Sequence, residues 1–588
     1  MDRNAWIAIA LIGVVILLTP YWEEWLNPKP PVKPVTKQQV QVDTVIVPKS
    51  TIPAEIRSDT TKIDFHPKTA ENIAWSMRSS DPAKGITRIE TPLYTAVLAW
   101  DGARFVSWKL KPNGKYIKEP TELIRPQGYG IVPGAVFRDG GVRSIDYLTF
   151  SSPDTLVKLS ETDSKSVTLH TQWDPIGPVD IIYTFKGNDF AFDLTARFTS
   201  DNPSWQGESG VWTMGPGLFP TEDARGSSSG KFINVGEEYY FGSHVWLGDV
   251  KHGEMEEFSP KPDKTDKFEA TGMTLWGAQR SKYFVVAVEP IKPATSVLAQ
   301  SEAGPNAAWK TQRIQMQVPN AGTPGVFQAR VYIGPLKASN VNAFAPNLDS
   351  IMNWGWWFIV KPFSKATLWL LTFLYTFITN YGIVILVFTI IIKGLLWPLT
   401  VKQFRSMKEM QLIQPLLKEV REKYKDNPKK MNEETFKLYG EYKVNPAGGC
   451  LPMILQMPIL YALFIIFRST IELRDAPFML WIKDLSQPEA LFYLPFHVPL
   501  YGQNVALLPI AMGITQFFMG KQTASTDPNQ KMMLYMMPVM MAALFNSFPA
   551  GLVLYYMFYN LATIVQQHYI RGTTDKKIPT TLAVTSPQ

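Results

Sequence analysis

The chain has 588 residues, a net charge of +7 and a single cysteine, so it has room for several domains but none for an intramolecular disulfide framework. With one Cys and six scattered His, a Cys/His metal site has no support, and no HExxH, Walker A or EF-hand pattern occurs. The mean hydropathy of −0.05 averages two unlike parts. A polar, Gly- and Pro-punctuated stretch runs to about residue 350, and the long apolar runs and 16 of the 22 methionines lie beyond it.

The first predicted element is an apolar segment, Ala5 to Trp22, with Arg3 before it and Glu23 and Glu24 after it. No small-residue cleavage site follows, so residues 1–22 are expected to remain as a transmembrane anchor with the amino terminus inside. Pro28, Pro30, Pro31 and Pro34 open a semi-rigid linker over 23–50. From 51 to 345, short alternating runs dominate, among them Tyr94–Trp100, Asp180–Phe185, Phe190–Phe198, Tyr283–Val288 and Ala329–Ile333. Bounded by Gly, Asn, Asp and Pro, they predict an all-β sandwich large enough to bury its own core. The stretch Gly226-Ser-Ser-Ser-Gly230 formally matches a nucleophile elbow, but no apolar strand leads into it and no helical pattern follows.

Residues 346–380 bring the chain to the membrane through the aromatic cluster Asn353–Phe358 and an interfacial helix over Lys361–Phe377. A span follows at 381–399. Four more lie within 451–570, at Leu451–Phe467, Ala506–Met519, Met532–Phe548 and Gly551–Gln567. With the anchor this makes a six-span all-α bundle, five core helices plus one, and a short tail at 571–588. Between Val401 and Cys450 eleven Lys/Arg face seven acids, and between Ser469 and Asn504 two face four. The positive-inside rule therefore puts the 400–450 loop and both termini in the cytoplasm, and the β domain outside. Within that loop Phe404, Met407, Gln411, Leu416/Leu417, Val420 and Tyr424 recur at helical spacing. Asp426-Asn427-Pro428 breaks the helix and Met431–Tyr442 supports a second, giving a hairpin. Its bases Lys402, Arg405, Lys418, Arg421, Lys423, Lys425, Lys429 and Lys430 fit a docking arm for anionic headgroups, ribosomal RNA or protein. They equally fit a solvated helix pair, and charge alone leaves both readings open.

Lys393 stands in an otherwise uncharged run, Tyr381 to Leu399. A charge at that depth costs at least ~2.5 kcal/mol, which marks a functional site unless the side chain snorkels to the inner surface. Thr389, one turn earlier, extends a polar stripe on the same face. Gln456, Thr515, Gln516, Asn560 and Thr563 are the other polar groups of the bundle, with Tyr555, Tyr556 and Tyr559 nearby. The absence of Asp, Glu and His from spans two to six argues against an ion-coupled carrier. Met532, Met533, Met536, Met537, Met540 and Met541 serve either core packing or a soft surface for varied apolar helices. Two other functions fit the composition: an anion channel or carrier centred on Lys393, and a membrane-anchored envelope enzyme whose β domain binds sugar.

Several strings occur in one order: Lys393-Gly-Leu-Leu-Trp-Pro-Leu-Thr400, Gln414-Pro415, Val444-Asn-Pro-Ala-Gly-Gly-Cys-Leu-Pro452 and Gln456-Met-Pro458. Ala476-Pro-Phe-Met-Leu-Trp-Ile-Lys-Asp-Leu485 and Phe548-Pro-Ala-Gly-Leu-Val-Leu-Tyr-Tyr556 complete them. Together, over about 350–570, they resemble the YidC family of bacterial membrane protein insertases. The anchor and large outer domain resemble its Gram-negative form, which implies an inner-membrane protein with a periplasmic β-supersandwich. The resemblance implies an insertase and chaperone without cofactor or metal, not an enzyme. It further implies a hydrophilic groove formed by Lys393, Thr389, Gln456, Asn560 and Thr563, and a slide for the client at Met457, Met536, Met540, Tyr555 and Tyr556. The implied partners are nascent membrane proteins, the Sec translocon, ribosome–nascent-chain complexes at the 401–450 hairpin and anionic phospholipids, with no DNA. The family's usual groove cation in bacteria is arginine, and here it is lysine. A desolvated lysine can lose its proton, so a hydrated groove is expected. The short tail, with only Arg571, Lys576 and Lys577, implies little tail-mediated ribosome contact.

Overall fold

The computed structural model describes residues 80–574 apart from short internal stretches, the longest being 223–236. The expected anchor and linker over 1–50, the Gly226–Gly230 stretch, Cys450 and the tail beyond Thr574 lie outside the described residues.

Period-two alternation builds the β domain. Along Gly177–Lys186 the side chains of Val179, Ile181, Tyr183 and Phe185 turn inward, and along Ala191–Phe198 those of Phe192, Leu194, Ala196 and Phe198 do the same. The two strands pair antiparallel, Phe192 opposite Phe185. From there the ladder continues through Val326–Pro335 and Phe284–Pro290 to Thr265–Arg280. This 16-residue strand belongs to two layers. Its carboxyl end pairs with Gly242–Leu247 and Phe284–Pro290, and its amino end with Ala294–Ala303. The register breaks between Thr271 and Thr274, where Gly272 sits at φ +145°, and such a bulge bends a strand. The second layer runs on through Lys310–Pro319, Ser209–Gly215, Tyr129–Val136, Arg104–Leu110, Tyr94–Ala99 and Ile86–Glu90. Aromatic rings close the core between the layers: Phe105 meets Tyr183 at 5.8 Å and Phe192 at 5.6 Å between centroids.

The helical part begins at Val360–Tyr375. Asn380 caps the next helix, Tyr381–Leu395, by accepting from the Ile383 N–H at 3.2 Å. That helix stops at Leu395, four residues short of the 399 boundary drawn from the apolar run. Pro398, at the start of the following Trp397–Leu412 helix, has no N–H to continue the ladder. The two helices meet at 65°, and only together are they apolar and long enough to cross a membrane. Among the described residues no single helix is. The remaining helices are Gln414–Lys423, Pro428–Glu441, Leu451–Ser469, Leu507–Thr523, Pro528–Phe545 and Ala550–Thr574.

One apolar cluster joins the two parts, with Trp276, Val285 and Tyr332 of the β domain in the same core as Leu368, Val384, Phe388, Leu463 and Tyr555. The loop after Ser469 adds polar fastenings. Tyr283 Oη donates to Ser486 Oγ at 3.0 Å, Gln487 Nε2 donates to Glu222, which Lys282 Nζ also reaches at 3.0 Å, and Arg474 donates to the Tyr116 carbonyl at 3.3 Å. Glu222 and Asp484 line a cleft of about 830 Å³ at this joint. Burial pushes the Asp484 carboxyl up to about 6, although the Ser486 N–H and hydroxyl both donate to it. Burial and the neighbouring Glu222 push Glu237 up to about 7. A folded pKa above the unfolded value means that stability is lost as pH rises between the two. Asp484→Asn should therefore stabilise the purified protein at pH 8, by about 1–2 kcal/mol given partial solvent access. In thermal unfolding the gain should shrink as pH falls through about 6 toward 3.8.

Candidate functional site

Lys393 lies two residues before the end of its helix and is only 7% exposed. Its side chain does not snorkel. Nζ donates to Thr563 Oγ1 at 2.5 Å and stands 3.4 Å from the centre of the Tyr559 ring, both on the Ala550–Thr574 helix. The Thr563 hydroxyl donates its own hydrogen bond to the Tyr559 carbonyl at 2.6 Å, so a lone pair is left to accept from the ammonium. The spacing i, i+4 sets Tyr559 and Thr563 one above the other on one helix face. The ammonium is thus held by a hydroxyl and an aromatic face, with no carboxylate paired to it among the described residues.

The other expected groove residues divide. Gln456, from Leu451–Ser469, reaches the Tyr559 hydroxyl and joins the cluster. Asn560 is buried and donates to Thr515 at 3.3 Å, tying Ala550–Thr574 to Leu507–Thr523. Thr389 stands one turn before Lys393 on the same helix face, its hydroxyl donating to the Ile385 carbonyl at 2.7 Å. Of the expected slide positions Met457 and Met536 are exposed, while Met540 and Tyr556 are half-buried. Tyr555 is fully buried against Phe388 and Tyr559, its hydroxyl without a partner.

A model of the YidC periplasmic domain matches residues 86–366, and a model of the 60Kd inner membrane protein matches 373–577. A membrane protein insertase YidC of Chlorobium limicola is 33% identical over 98% of this chain and 95% of its own. That of Chlorobaculum parvum is 33% identical over 97% and 95%. The chain belongs to the YidC family of membrane protein insertases. An active YidC insertase crystal structure with its first transmembrane domain resolved is 17% identical over 82% of this chain and 91% of that one, with a TM-score of 0.34.

In this YidC family member the sequence reading left Tyr559 out of the groove set, although its four-residue spacing from Thr563 was the available signal. Gln566 and Gln567, one turn further, are also buried, and the Gln566 amide has no partner at either atom. They carry the polar face to the inner end of the Gly551–Gln567 span. The basic helices form a hairpin around Ile413, Leu417 and Val444, with Asn427 capping the second by accepting from the Lys430 N–H. Lys402, Arg405, Lys418, Arg421, Lys423, Lys425, Lys429 and Lys430 are all exposed. Arg405–Glu409 and Lys418–Glu422 stand at 3.9 Å, long exposed pairs that contribute little. Thr563→Val keeps the shape at the ammonium but removes its acceptor. Thermal unfolding in detergent should show a loss of about 1–3 kcal/mol, with Thr563→Ser restoring most of it.

Proposed function

We propose that this insertase draws polar or acidic segments of a nascent membrane protein toward Lys393 and releases the adjoining apolar segment into lipid. The observation that carries the reading is a buried ammonium whose partners, Thr563 and Tyr559, are both neutral. A neutral acceptor and a ring face leave the positive charge uncompensated, so a client carboxylate is a better partner than either. The groove in this reading comprises Lys393, Tyr559, Thr563, Gln456 and Asn560, with Met457, Met536 and Met540 as a soft path for the apolar segment. Six spans, an anchor at 1–22, both termini in the cytoplasm and the β domain in the periplasm complete the topology.

Helix length supports a shortened crossing. Fifteen residues in Tyr381–Leu395 rise about 22 Å, less than the ~30 Å hydrocarbon core. Below the break, the exposed bases of the 401–450 hairpin are suited to a ribosome–nascent-chain complex or anionic headgroups. Work beside the Sec translocon belongs to the same proposal.

The test is reconstituted insertion of a client with an acidic outer segment. Lys393→Ala and Lys393→Gln should lower the yield by about tenfold, equivalent to ~1.4 kcal/mol, while Lys393→Arg stays near the parent. A client whose outer segment lacks acids should lose much less. Equal insertion of the acidic client by Lys393→Ala would remove the charge from the mechanism.

A further inference from the structure

We propose that the outer turn Phe478–Ile482 is a wedge that seats in the outer lipid leaflet and fixes the depth of the helix carrying Lys393. The proposal rests on the reading of the apolar helices as membrane spans. Three consecutive apolar side chains crown the turn, Met479 at 54%, Leu480 at 85% and Trp481 at 37% exposure. Leu480 is held at φ +56°, a left-handed conformation that Gly or Asn adopts with far less strain. Water offers neither the exposure nor the strain any compensation, whereas lipid rewards an aliphatic tip.

The turn is rigid and bolted to two helix starts. The Phe478 N–H donates to the Ile482 carbonyl at 3.0 Å and the Ile482 N–H to the Met479 carbonyl at 3.2 Å. The Phe478 ring lies where Gly382 lacks a side chain, since a Cβ there would come within 1.8 Å of it. Asn380, the cap of Tyr381–Leu395, donates to the Phe478 carbonyl at 3.3 Å. On the other side Trp481 Nε1 donates to Glu489, whose carboxylate also accepts from Leu507 and Leu508 at the start of Leu507–Thr523. A helix it is fastened to presents Ile383 and Ile390 outward, so the apolar tip continues that exposed surface. Trp481, with the exposed Lys483 two residues on, is the chemistry of a membrane–water interface.

Lipid is the occupant because the tip is convex and three residues wide. A protein partner needs roughly 800 Å² per side for a stable contact, and a second copy needs the same. Lys393 lies twelve residues after Tyr381, about 18 Å further in. Seating the turn therefore sets how far that ammonium stands below the outer leaflet.

The experiment uses full-length protein in phospholipid vesicles, with Cys450→Ser and one new cysteine at a time: Leu480→Cys, Met479→Cys, Ile390→Cys and Met273→Cys. Met273 lies in the β domain and is 50% exposed. Each carries an environment-sensitive fluorophore, challenged with lipid-borne nitroxides and with aqueous iodide. Positions 480, 479 and 390 should be quenched by lipid, 480 best by a shallow nitroxide, with iodide quenching at 480 several-fold below that at 273. Iodide access at 480 and 479 equal to 273, with 390 still lipid-quenched, overturns the wedge and leaves the spans standing. Iodide access at 390 as well overturns the spans and the wedge with them. Shielding of 480 from both quenchers means that protein covers the turn, and also overturns the proposal.

Discussion

A cation inside an apolar helical bundle persists only where partners accept its hydrogen bonds or face it with π density, and here those partners fix which helices meet. The Lys393 contacts with Thr563 and Tyr559 require Tyr381–Leu395 and Ala550–Thr574 to lie side by side, and Phe388 against Tyr555 repeats the demand about one turn along. Gln456 on Tyr559 and Asn560 on Thr515 then bring in the helices Leu451–Ser469 and Leu507–Thr523. Each link is a polar group that would be costly if left unpaired at this depth. The polar contacts therefore specify which helices are neighbours, while the apolar residues around them supply bulk cohesion.

The ends of the bundle are treated differently. At the loop end, the stretch after Ser469 is fastened to the β domain by Tyr283–Ser486, Gln487–Glu222 and Arg474–Tyr116, in a joint crowded with carboxyls. At the other end Pro398 turns the chain by 65° into a solvated basic hairpin.

Much of this was legible from spacing, and the exceptions have physical causes. The two-residue period exposes strands such as Gly177–Lys186, because only one face of each is buried. The sharing of Thr265–Arg280 between two layers was not legible, since it depends on pairings far apart in sequence. Hydropathy carried the span to 399 because Leu396, Trp397 and Leu399 are apolar; backbone geometry at Pro398 ended it earlier. Thr389 was legible as one turn from Lys393, but its bond to the Ile385 carbonyl was not, since a helical threonine's choice of acceptor depends on its rotamer. Tyr555 was assigned to the client slide through the family resemblance. Its burial reflects the inward face it shares with Tyr559, a feature decided by helix rotation and invisible to residue type.

The strength of the Lys393 contact bears on how the insertase releases its clients. A carboxylate built in beside the ammonium would form a buried ion pair, costly to break and closed to an incoming acid. An ammonium with no partner at all would carry the full cost of desolvation and destabilise the bundle. Thr563 and Tyr559 lie between these limits: they hold the cation in place, yet each is a weaker partner than a carboxylate. In the proposed exchange a departing client would return the ammonium to the same hydroxyl and ring, so release would leave no unpaired cation behind. Lysine suits such an exchange because its compact ammonium can move between single acceptors, whereas the fork of an arginine favours bidentate acids.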